Sequence, residues 1–303
     1  DCEASRGLGD VYKRQVLDYT ESFSKNVVDN FTQMYAQGLT PNPCVECNRS
    51  VKFDHFITQA KKLNCDKVAT GHYAKIIKKN NEFELHKADY LDKDQSYVLH
   101  MLKSSDLENI SFPLGEISKP EVRQIAARIG LKTAFKKDSQ DICFVGKKDY
   151  RSFVEKRIDL TSPGEIFDIE GNKVGDHNGI HEFTVGQRKG LPGGYGTPRY
   201  VTKINVQNKN VTIGEKKDLL VSSFIVEELS CVNNLEYNNL TIQTRHNSED
   251  LPCEIKKLSD TKVLVQLKEP AFGVAPGQFG VIYNGTKVVC GGRISPKVLE
   301  NIG

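Results

Sequence analysis

Apolar residues in the first part of the chain recur at the spacing of amphipathic helices. Between Phe23 and Tyr35 they return every three or four positions, and Gly38 provides a stop after the last of them. The same spacing returns between Phe53 and Leu63. The pattern therefore predicts two helices, separated by a segment in which the helical spacing is interrupted.

A short apolar run and an alternating run further along predict strands. Residues 66–71 form a run that ends in Gly71, and we interpret it as a short buried strand. Glu82–Lys87 alternates between polar and apolar positions and predicts a second strand. A strand that ends in glycine beside a helix is typical of the carboxyl edge of an open α/β sheet, where such folds bind ligands.

The clearest helix signal lies between Ser118 and Gly130. Ser118 and Glu121 have the spacing of a capping box, which satisfies N–H groups that the first helical turn leaves without partners. Gly130 is placed to end the helix. The apolar face between them consists of Val122, Ile125, Ala126 and Ile129. Together these elements predict an α/β domain over residues 16–159.

After residue 159, glycines and short alternating runs replace the helical spacing. Frequent glycines punctuate residues 160–220, which predicts a small, mostly β middle domain. Alternation dominates residues 221–303, and Asn284-Gly285 between two alternating runs is a strong hairpin signal. Several short, closely spaced strands of this kind predict a C-terminal β-barrel.

The first fifteen residues do not share this organisation. Residues 1–15 follow no helical or strand period, and the sequence has no initiator Met. We interpret them as a leader that is not native to the protein and exclude them from the reasoning about the fold.

The composition is ordinary for a globular protein. Hydrophobic residues make up 38% of the chain and charged residues 27%. There is no apolar run of about 18 residues that could span a membrane, and no secretory signal is visible. The net charge of +3, from 42 basic and 39 acidic residues, neither requires nor excludes nucleic acid. We expect a cytoplasmic protein without a membrane partner.

Eight cysteines in a chain without a secretory signal are best interpreted as reduced thiols. Four of them stand in apolar or alternating contexts, and we expect them to be small buried hydrophobic residues. These four are Cys65, Cys231, Cys253 and Cys290. Cys2 lies in the leader, so three cysteines remain as candidates for chemistry.

These three cysteines stand in two motifs. Pro41 and Pro43 restrict the backbone of the first motif, which we expect to be stiff and extended and to present Cys44 and Cys47 on one short turn. Cys143 belongs to the second motif, far along the chain.

The two cysteine motifs and two further segments together resemble the bacterial tRNA-specific 2-thiouridylase family. The four segments are residues 38–48, 69–74, 93–97 and 138–144. The resemblance runs from about Val16 to the C-terminus. Members of the family use ATP and a cysteine-bound persulfide to replace the 2-oxygen of a wobble uridine with sulfur. The resemblance therefore implies a sulfurtransferase with a Rossmann-like N-terminal domain of the PP-loop ATP pyrophosphatase type.

The resemblance also implies roles for individual residues. Cys47 matches the nucleophile, Cys143 matches the cysteine that bears the persulfide, and Gly71 lies beside the nucleotide. The residues that match tRNA contacts, the first three of them beside the target base, are Asn42, Pro43, Cys44, His72, Lys93, Asp94, Gln95, Arg245, His246 and Gln278. The implied cofactors are ATP and Mg²⁺. The implied partners are tRNA, and not DNA, and a persulfide donor that is either a sulfur-relay protein or a cysteine desulfurase.

Two cysteines that meet in space suit this chemistry. The terminal sulfur of a persulfide is ionised near neutral pH and can be transferred. Its release requires a second thiol that closes a disulfide with the first. We therefore expect Cys47 and Cys143 to lie close enough to form a disulfide.

The chain departs from the family in one respect. Members carry an N-terminal phosphate-binding loop, Ser-Gly-Gly-x-Asp-Ser, and no such motif occurs in the 303 residues. Because the backbone N–H groups of a Gly-rich loop cradle phosphates, we expect an incomplete, N-terminally truncated catalytic domain that binds ATP poorly and has no turnover. The alternative is a fragment that binds tRNA without modifying it.

The cysteine motifs leave further alternatives open. Cys44 and Cys47 have the spacing of one half of a zinc site, although no second Cys-x-x-Cys or paired His follows at finger spacing. They also have the spacing of a thioredoxin-type redox pair, which opens a helix directly after a strand. Cys44, Cys47 and Cys143 together are a possible ligand set for an iron–sulfur cluster in an RNA-modifying protein.

Overall fold

The computed structural model describes residues 16–136, 142–146, 149–158, 162–194, 196–231 and 238–296. The interpreted leader, residues 1–15, lies outside these ranges, as does the stretch 138–141 that precedes Cys143 in its motif. Within the described residues, no helix is both long enough and apolar enough to cross a membrane.

The described helices lie almost entirely in the N-terminal part. We label them α1 (Thr20–Phe23, Ser24–Asp29 and Asn30–Ala36 in continuous succession), α2 (Pro43–Glu46, Cys47–Phe53 and Asp54–Lys62, also continuous), α3 (Ser96–Leu99), α4 (Ser104–Leu107), α5 (Lys119–Arg128) and α6 (Tyr150–Glu155). Short 3₁₀ turns cover Leu91–Lys93, Lys132–Phe135, Ile180–Glu182 and Lys216–Leu219.

The strands form three sheets. They are β1 (Val68–Ala69), β2 (Ala74–Lys79), β3 (Glu82–Lys87), β4 (Ile110–Ser111), β5 (Gly164–Phe167), β6 (Lys173–His177), β7 (Tyr200–Asn205), β8 (Asn210–Gly214), β9 (Leu220–Cys231), β10 (Leu240–Gln243), β11 (Leu251–Ser259), β12 (Lys262–Phe272), β13 (Phe279–Asn284) and β14 (Lys287–Ile294). The predicted architecture of an α/β part, a small β middle part and a C-terminal barrel is confirmed.

Both predicted N-terminal helices are present, and each contains a π-type segment in its middle. Ser24–Asp29 is the π-type segment of α1, and Cys47–Phe53 is that of α2. The expectation of an extended cysteine turn was wrong, because α2 already begins at Pro43. A proline is favoured at the first helical position, where its fixed φ fits the helix and its missing N–H has no partner to lose.

The parallel pair β1–β4 is smaller than the sequence predicts. Val68 pairs with Ile110 and Ala69 with Ser111, and no further residues join this pair among those described. Val68 is half-buried and Ala69 is exposed, so the prediction of a buried strand was wrong. A parallel sheet normally has both faces covered, and this pair is covered only in part.

Helix α5 confirms the capping signal but not the predicted burial. Ser118 accepts from the backbone N–H of Glu121, and the Glu121 carboxylate accepts from Ser118 in return. Gly130 follows the helix with φ +76°, which an L side chain rarely adopts. Ile125 and Ile129 on the predicted apolar face remain 38% and 47% exposed.

The C-terminal sheet closes on itself. Six of the described strands pair in the order β13-β10-β11-β12-β9-β14, and β14 pairs back to β13. The β13–β14 hairpin confirms the turn signal with a shift of one residue. Asn284 pairs with Lys287, so the two-residue loop is Gly285-Thr286, with Gly285 at φ +59°.

The N-terminal part and the barrel share a hydrophobic core. The hairpin β2–β3 extends the barrel sheet through the pair His86–Lys287 on β14. Buried side chains of α2 and α3, including Val45 and Tyr97, cluster with Phe279 and Tyr283 of β13. The middle sheet, ordered β6-β5-β8-β7, has its own smaller core. The helix that bears Cys44 and Cys47 therefore packs directly on the barrel.

Candidate functional site

Cys44 and Cys47 lie on the first turns of α2. Asn42 is the N-cap of this helix, and its side chain accepts a hydrogen bond from the backbone N–H of Val45 at 3.4 Å. Pro43 is buried, whereas Cys44 is exposed and Cys47 is half-buried. The cap and the proline fix the start of the helix, and the helix presents both thiols to solvent. Because α2 follows α1 rather than a strand, the arrangement differs from that of a thioredoxin-type pair.

A charged contact ties this helix to the barrel. Glu46, between the two cysteines, is 4% exposed. Its carboxylate accepts from Arg49 at 2.5 Å and from Arg293 of β14 at 2.9 Å. Arg293 also donates to the carbonyl of Gly277 at 3.4 Å. Both guanidinium groups bind this buried carboxylate, and the contact fixes the start of α2 against β14.

A barrel turn also lies against the segment before the cysteines. The backbone N–H of Thr40 donates to the carbonyl of Pro276 at 2.9 Å. Gln278 donates through its side-chain amide to the carbonyl of Pro41 at 3.5 Å. Gly277 has φ +91°, and a Cβ added there would lie 2.8 Å from Thr40 N. The predicted tRNA contact Gln278 is thus next to the Asn42-Pro43 segment.

Aromatic packing positions the turn that bears Cys143. Phe144 lies edge-on to Phe23 and Phe31 of α1, with ring centroids 5.6 and 5.3 Å apart. It also contacts Phe153 of α6 at 5.2 Å. Cys143 itself is exposed. Phe144 therefore anchors the turn while the neighbouring thiol stays accessible.

The three motif cysteines act on one another electrostatically. Burial is the main cause that raises the pKa of Cys44 and of Cys47, and the nearby Cys143 raises both further. The positive charge of Lys52 opposes the increase in both pKa values. All three cysteines are free thiols in the structure. Cys143 thus lies near enough to Cys44 and Cys47 to influence both thiols, and the pairing of Cys47 with Cys143 stays a prediction.

His72 lies beside this site. Its Nδ1 is 2.8 Å from the hydroxyl of Thr70, and its ring contacts Phe53 of α2 and Phe112 at centroid distances of 5.8 and 5.9 Å. Burial, together with the charge of Lys52, lowers the pKa of His72 to about 4. At neutral pH this side chain is therefore an uncharged polar group.

Gly71 follows β1 at the carboxyl edge of the parallel pair, as the sequence predicts for a nucleotide neighbour. It is exposed, and an added Cβ would make only an ordinary contact, 3.7 Å from Leu114. The residues present offer this edge but no Gly-rich phosphate loop. They do not by themselves make a site for the triphosphate of ATP.

Lys93, Asp94 and Gln95 form the connection into α3. Asp94 is buried, and its carboxylate accepts from the N–H of Ala88 at 2.8 Å and from the Ser96 hydroxyl at 2.6 Å. Burial raises the pKa of Asp94. Gln95 accepts from the N–H of Tyr73 at 3.0 Å, and Lys93 is half-buried. Asp94 and Gln95 thus already have partners within the protein.

Arg245 and His246 follow β10 and are exposed. Arg245 donates to the carbonyl of Val185 in the middle part at 3.4 Å. The ring of His246 lies 5.9 Å from that of Tyr97 on α3. An open cavity of about 520 Å³ lies nearby. Its lining includes Lys87, Asp92, Asp94, Gln243, Asn247 and Asp250.

Potential metal ligands gather elsewhere. Among the described residues, one group of three places its ligand atoms within 4.8 Å of one another: Glu155, His181 and Glu182. In this group Nε2 of His181 is 3.0 Å from the Glu155 carboxylate. The three motif cysteines do not form so compact a group within the described part of the chain.

The remaining cysteines agree with the sequence analysis in part. Cys253 and Cys290 are 3% and 0% exposed, as expected for small hydrophobic residues. The prediction for Cys65 was wrong, because this residue is exposed just after α2. Apolar and polar residues alternate around it in sequence, but the helix has already ended at Lys62. The side chain of Cys231 and all of Cys2 lie outside the described residues.

Sequence reasoning missed three residues of the site: Glu46, Arg293 and Lys52. Glu46 and Arg293 carry no local signal, since their pairing joins positions at opposite ends of the chain. Lys52 has the signal of an ordinary helical surface lysine, and only the π-type segment of α2 gives its position significance.

Family models of known proteins match all three parts of the chain. The family model described as tRNA methyl transferase HUP domain matches residues 10–147. The model described as tRNA methyl transferase PRC-barrel domain matches residues 151–215, and that described as Aminomethyltransferase beta-barrel domain matches residues 221–294.

Relatives with a known name match most of the chain. The tRNA-specific 2-thiouridylase MnmA of Chloroflexus aurantiacus is 41% identical over 285 residues, which cover 92% of this chain and 79% of the relative. The protein of the same name from Rickettsia prowazekii is 41% identical over 288 residues, covering 93% of this chain and 80% of the relative. The chain therefore belongs to the family of the tRNA-specific 2-thiouridylases MnmA.

Proposed function

We propose that this protein transfers sulfur to tRNA and makes 2-thiouridine at the wobble position. The observation that supports the proposal is that the thiol of Cys143, from a distant segment, acts on the thiols of Cys44 and Cys47 at the start of α2. Relatives at about 41% identity are named tRNA-specific 2-thiouridylases. The activity proposed is therefore that of a tRNA-uridine 2-sulfurtransferase.

The two cysteines act in sequence. Cys143 carries a persulfide, whose terminal sulfur attacks C2 of an activated uracil and forms the new C–S bond. The C2–O bond breaks, and the activated 2-oxygen leaves with the bonding pair. The thiolate of Cys47 then attacks the sulfur of Cys143, and the bond between that sulfur and the transferred sulfur breaks. The transferred sulfur keeps the bonding pair and leaves with the base, and a Cys47–Cys143 disulfide remains. A thiol reductant must return both cysteines to the reduced state before the next turnover.

The exposure of the two cysteines agrees with the roles proposed for them. Cys143 is exposed on its turn, where a persulfide donor can reach it, whereas Cys47 is half-buried. We infer that the donor is a sulfur-relay protein or a cysteine desulfurase. Because the substrate is tRNA, we place the reaction in the cytoplasm.

The target uridine would lie at the start of α2. A base must leave its stack to react, and Asn42, Pro43 and Cys44 form the surface that we propose it meets. His72, uncharged at neutral pH, and Gln278 flank this surface. Lys93, Arg245 and His246 extend it toward the phosphate backbone. Asp94 and Gln95 support the same loop through their internal hydrogen bonds.

Activation of the uracil oxygen completes the proposal. We propose ATP and Mg²⁺ as cofactors on the strength of the family resemblance, with Gly71 beside the nucleotide. The 303 residues lack the Gly-rich phosphate loop, so we expect the chain as given to bind tRNA and to have no turnover by itself.

Two rival functions make different predictions. Two family models are described as tRNA methyl transferase domains, but methyl transfer does not require thiols from two distant segments. A metal- or cluster-dependent RNA-modifying protein would bind its metal through Cys44, Cys47 and Cys143. Metal analysis of anaerobically purified protein tests this second rival.

The test is a thiolation assay on a chimaera. An N-terminal segment with the Ser-Gly-Gly-x-Asp-Ser loop that the family resemblance implies is joined before Val16, and tRNA, ATP, Mg²⁺ and a persulfide donor are supplied. We expect 2-thiouridine from the chimaera and background levels from its Cys47→Ser and Cys143→Ser variants. Cys65→Ser is the matched control and should retain activity. Retained activity in either of the first two variants would contradict the mechanism, and equal loss in Cys44→Ser would favour a three-cysteine cluster.

A further inference from the structure

The proposed sulfur transfer does not use one charged residue of the site, Lys52. This lysine is half-buried on α2, and its ammonium charge acts on the thiols of Cys44 and Cys47 and on the imidazole of His72. Within the described ranges, Lys52 forms no ion pair with a carboxylate. Its charge is thus directed at the thiol site.

The π-type segment of α2 explains how Lys52 reaches this position. In an α-helix, side chains five residues apart differ by about 140° around the axis, so residue 52 would project away from residue 47. The segment Cys47–Phe53 is instead a π-helix. In a π-helix, hydrogen bonds join residues five apart, so residue i+5 lies on the same side of the helix as residue i, as residue i+4 does in an α-helix. Cys47 and Lys52 have this separation.

The other basic groups near the thiols are neutral or paired. His72 has a pKa of about 4 and is uncharged at neutral pH. Arg49 and Arg293 both bind the carboxylate of Glu46. Among the groups described around Cys47, which include the thiols of Cys44 and Cys143, Lys52 is therefore the cation free to face an anionic sulfur.

Sulfur chemistry needs such a cation. A thiol acts as nucleophile only as the thiolate, and burial makes the thiolate of Cys47 less favourable. We propose that Lys52 is a positioning residue that supplies the positive charge stabilising the anionic sulfur of Cys47 during sulfur release. This inference rests on the proposed function but concerns a property of the free protein, so it can be measured without tRNA or ATP.

The experiment measures alkylation of Cys47 in the purified 303-residue chain. Iodoacetamide reacts with the thiolate, and peptide mass spectrometry gives the rate at each cysteine between pH 6 and 10. We expect Lys52→Met to raise the midpoint for Cys47 by about one pH unit and to lower its rate at neutral pH roughly tenfold. Lys52→Arg should keep the midpoint within a few tenths of a unit. Lys61→Met, on the exposed last turn of α2, is the matched control and should change nothing.

The buried cysteines report whether a variant is folded. Cys253 and Cys290 should stay unreactive in a folded chain. A folded Lys52→Met variant with an unchanged Cys47 midpoint would overturn the inference. If Lys52→Met exposes the buried cysteines, the inference is tested on the wild-type chain by the salt dependence of the Cys47 midpoint. A rise of its Cys47 midpoint between about 0.05 and 1 M salt would support a stabilising cation, and a constant midpoint would overturn it. The proposed function fails separately, if the Cys47→Ser chimaera still makes 2-thiouridine.

Discussion

The C-terminal barrel buries its apolar residues much more completely than do the parallel pair β1–β4 and helix α5 of the N-terminal part. In the barrel, Phe224, Val263 and Ile282 are each 0% exposed, and the sheet closes without a free edge between β13 and β14. In the N-terminal part, the parallel pair has two residues per strand, and Ile125 of α5 is 38% exposed.

The difference shows where the site obtains its rigidity. The position of α2 does not depend on the small parallel pair alone. Glu46 of α2 contacts Arg293 of the barrel, and Thr40, just before the helix, contacts Pro276. A closed barrel with a buried core is a stiff support. The barrel therefore holds the start of α2 in place.

The largest expected effect contrasts the two cores directly. Phe224→Ala should reduce the free energy of unfolding by about 3–5 kcal/mol, because it removes a fully buried ring and leaves a cavity. Ile125→Ala on α5 should cost less than about 1 kcal/mol, since that side chain is partly exposed already. Urea unfolding of both variants measures the difference. Equal losses would contradict the contrast between the two regions.

Removing the charged contact should have the next largest effect. Arg293→Met leaves the buried Glu46 with Arg49 as its remaining guanidinium partner and should cost about 2 kcal/mol. The same substitution should also lower thiolation by the chimaera, since the start of α2, which bears Cys44 and Cys47, loses its contact with β14. Lys262→Met, which removes an exposed ion pair with Glu227, is the control and should cost less than about 1 kcal/mol. An Arg293→Met variant as stable and active as the control would show that the barrel does not fix the start of α2.

Gly277 lies close to the backbone of Thr40, and a substitution there tests this contact between the barrel and the segment before α2. Gly277→Ala forces a side chain into φ +91° and against Thr40 N, so it should cost about 1–3 kcal/mol. Gly285→Ala is the matched control, because this glycine also has positive φ but nothing within 4 Å of an added Cβ. Thermal unfolding of both variants separates the contact from the backbone effect. If the two melt together, the packing of this barrel turn on residues 39–41 contributes no stability.

The smallest expected effect is a dependence of stability on pH at the same boundary. His100 is 1% exposed, and burial lowers its pKa from 6.5 to about 4. The unfolded chain therefore binds a proton that the folded chain does not, and stability falls as pH falls from 6.5 toward 4. The loss attributable to His100 should be about 1 kcal/mol per pH unit in this range. His100→Asn should show a shallower slope in urea unfolding between pH 7 and 5, and an unchanged slope would contradict the assignment.

The sequence predicts those features whose causes are local. The capping box of α5, the strand Glu82–Lys87 and the β13–β14 hairpin each depend on residues within one short segment. The burial of α5 could not be predicted in the same way, because a helical pattern shows which face is apolar but not what covers it. The length of β1 depends likewise on its partner β4.

The candidate site likewise has features that the local sequence predicts and others that depend on tertiary contacts. Cys47 and Cys143 could be chosen from their motifs, but no pattern shows that Phe144 packs against Phe31 and brings the second thiol to the first. The contact between Glu46 and Arg293 joins distant positions. The position of Lys52 depends on a local change of helix type that the spacing of apolar residues does not reveal.

The most direct test of the account is the disulfide that the chain forms on mild oxidation. Cys47 and Cys143 are the pair that we propose to exchange sulfur, so peptide mapping of the oxidised 303-residue chain should find the Cys47–Cys143 crosslink in preference to Cys44–Cys47. Cα atoms must come within about 7 Å for such a bond, directly or by a small movement of the Cys143 turn. A predominant Cys44–Cys47 disulfide, with Cys143 left as a free thiol, would contradict the account.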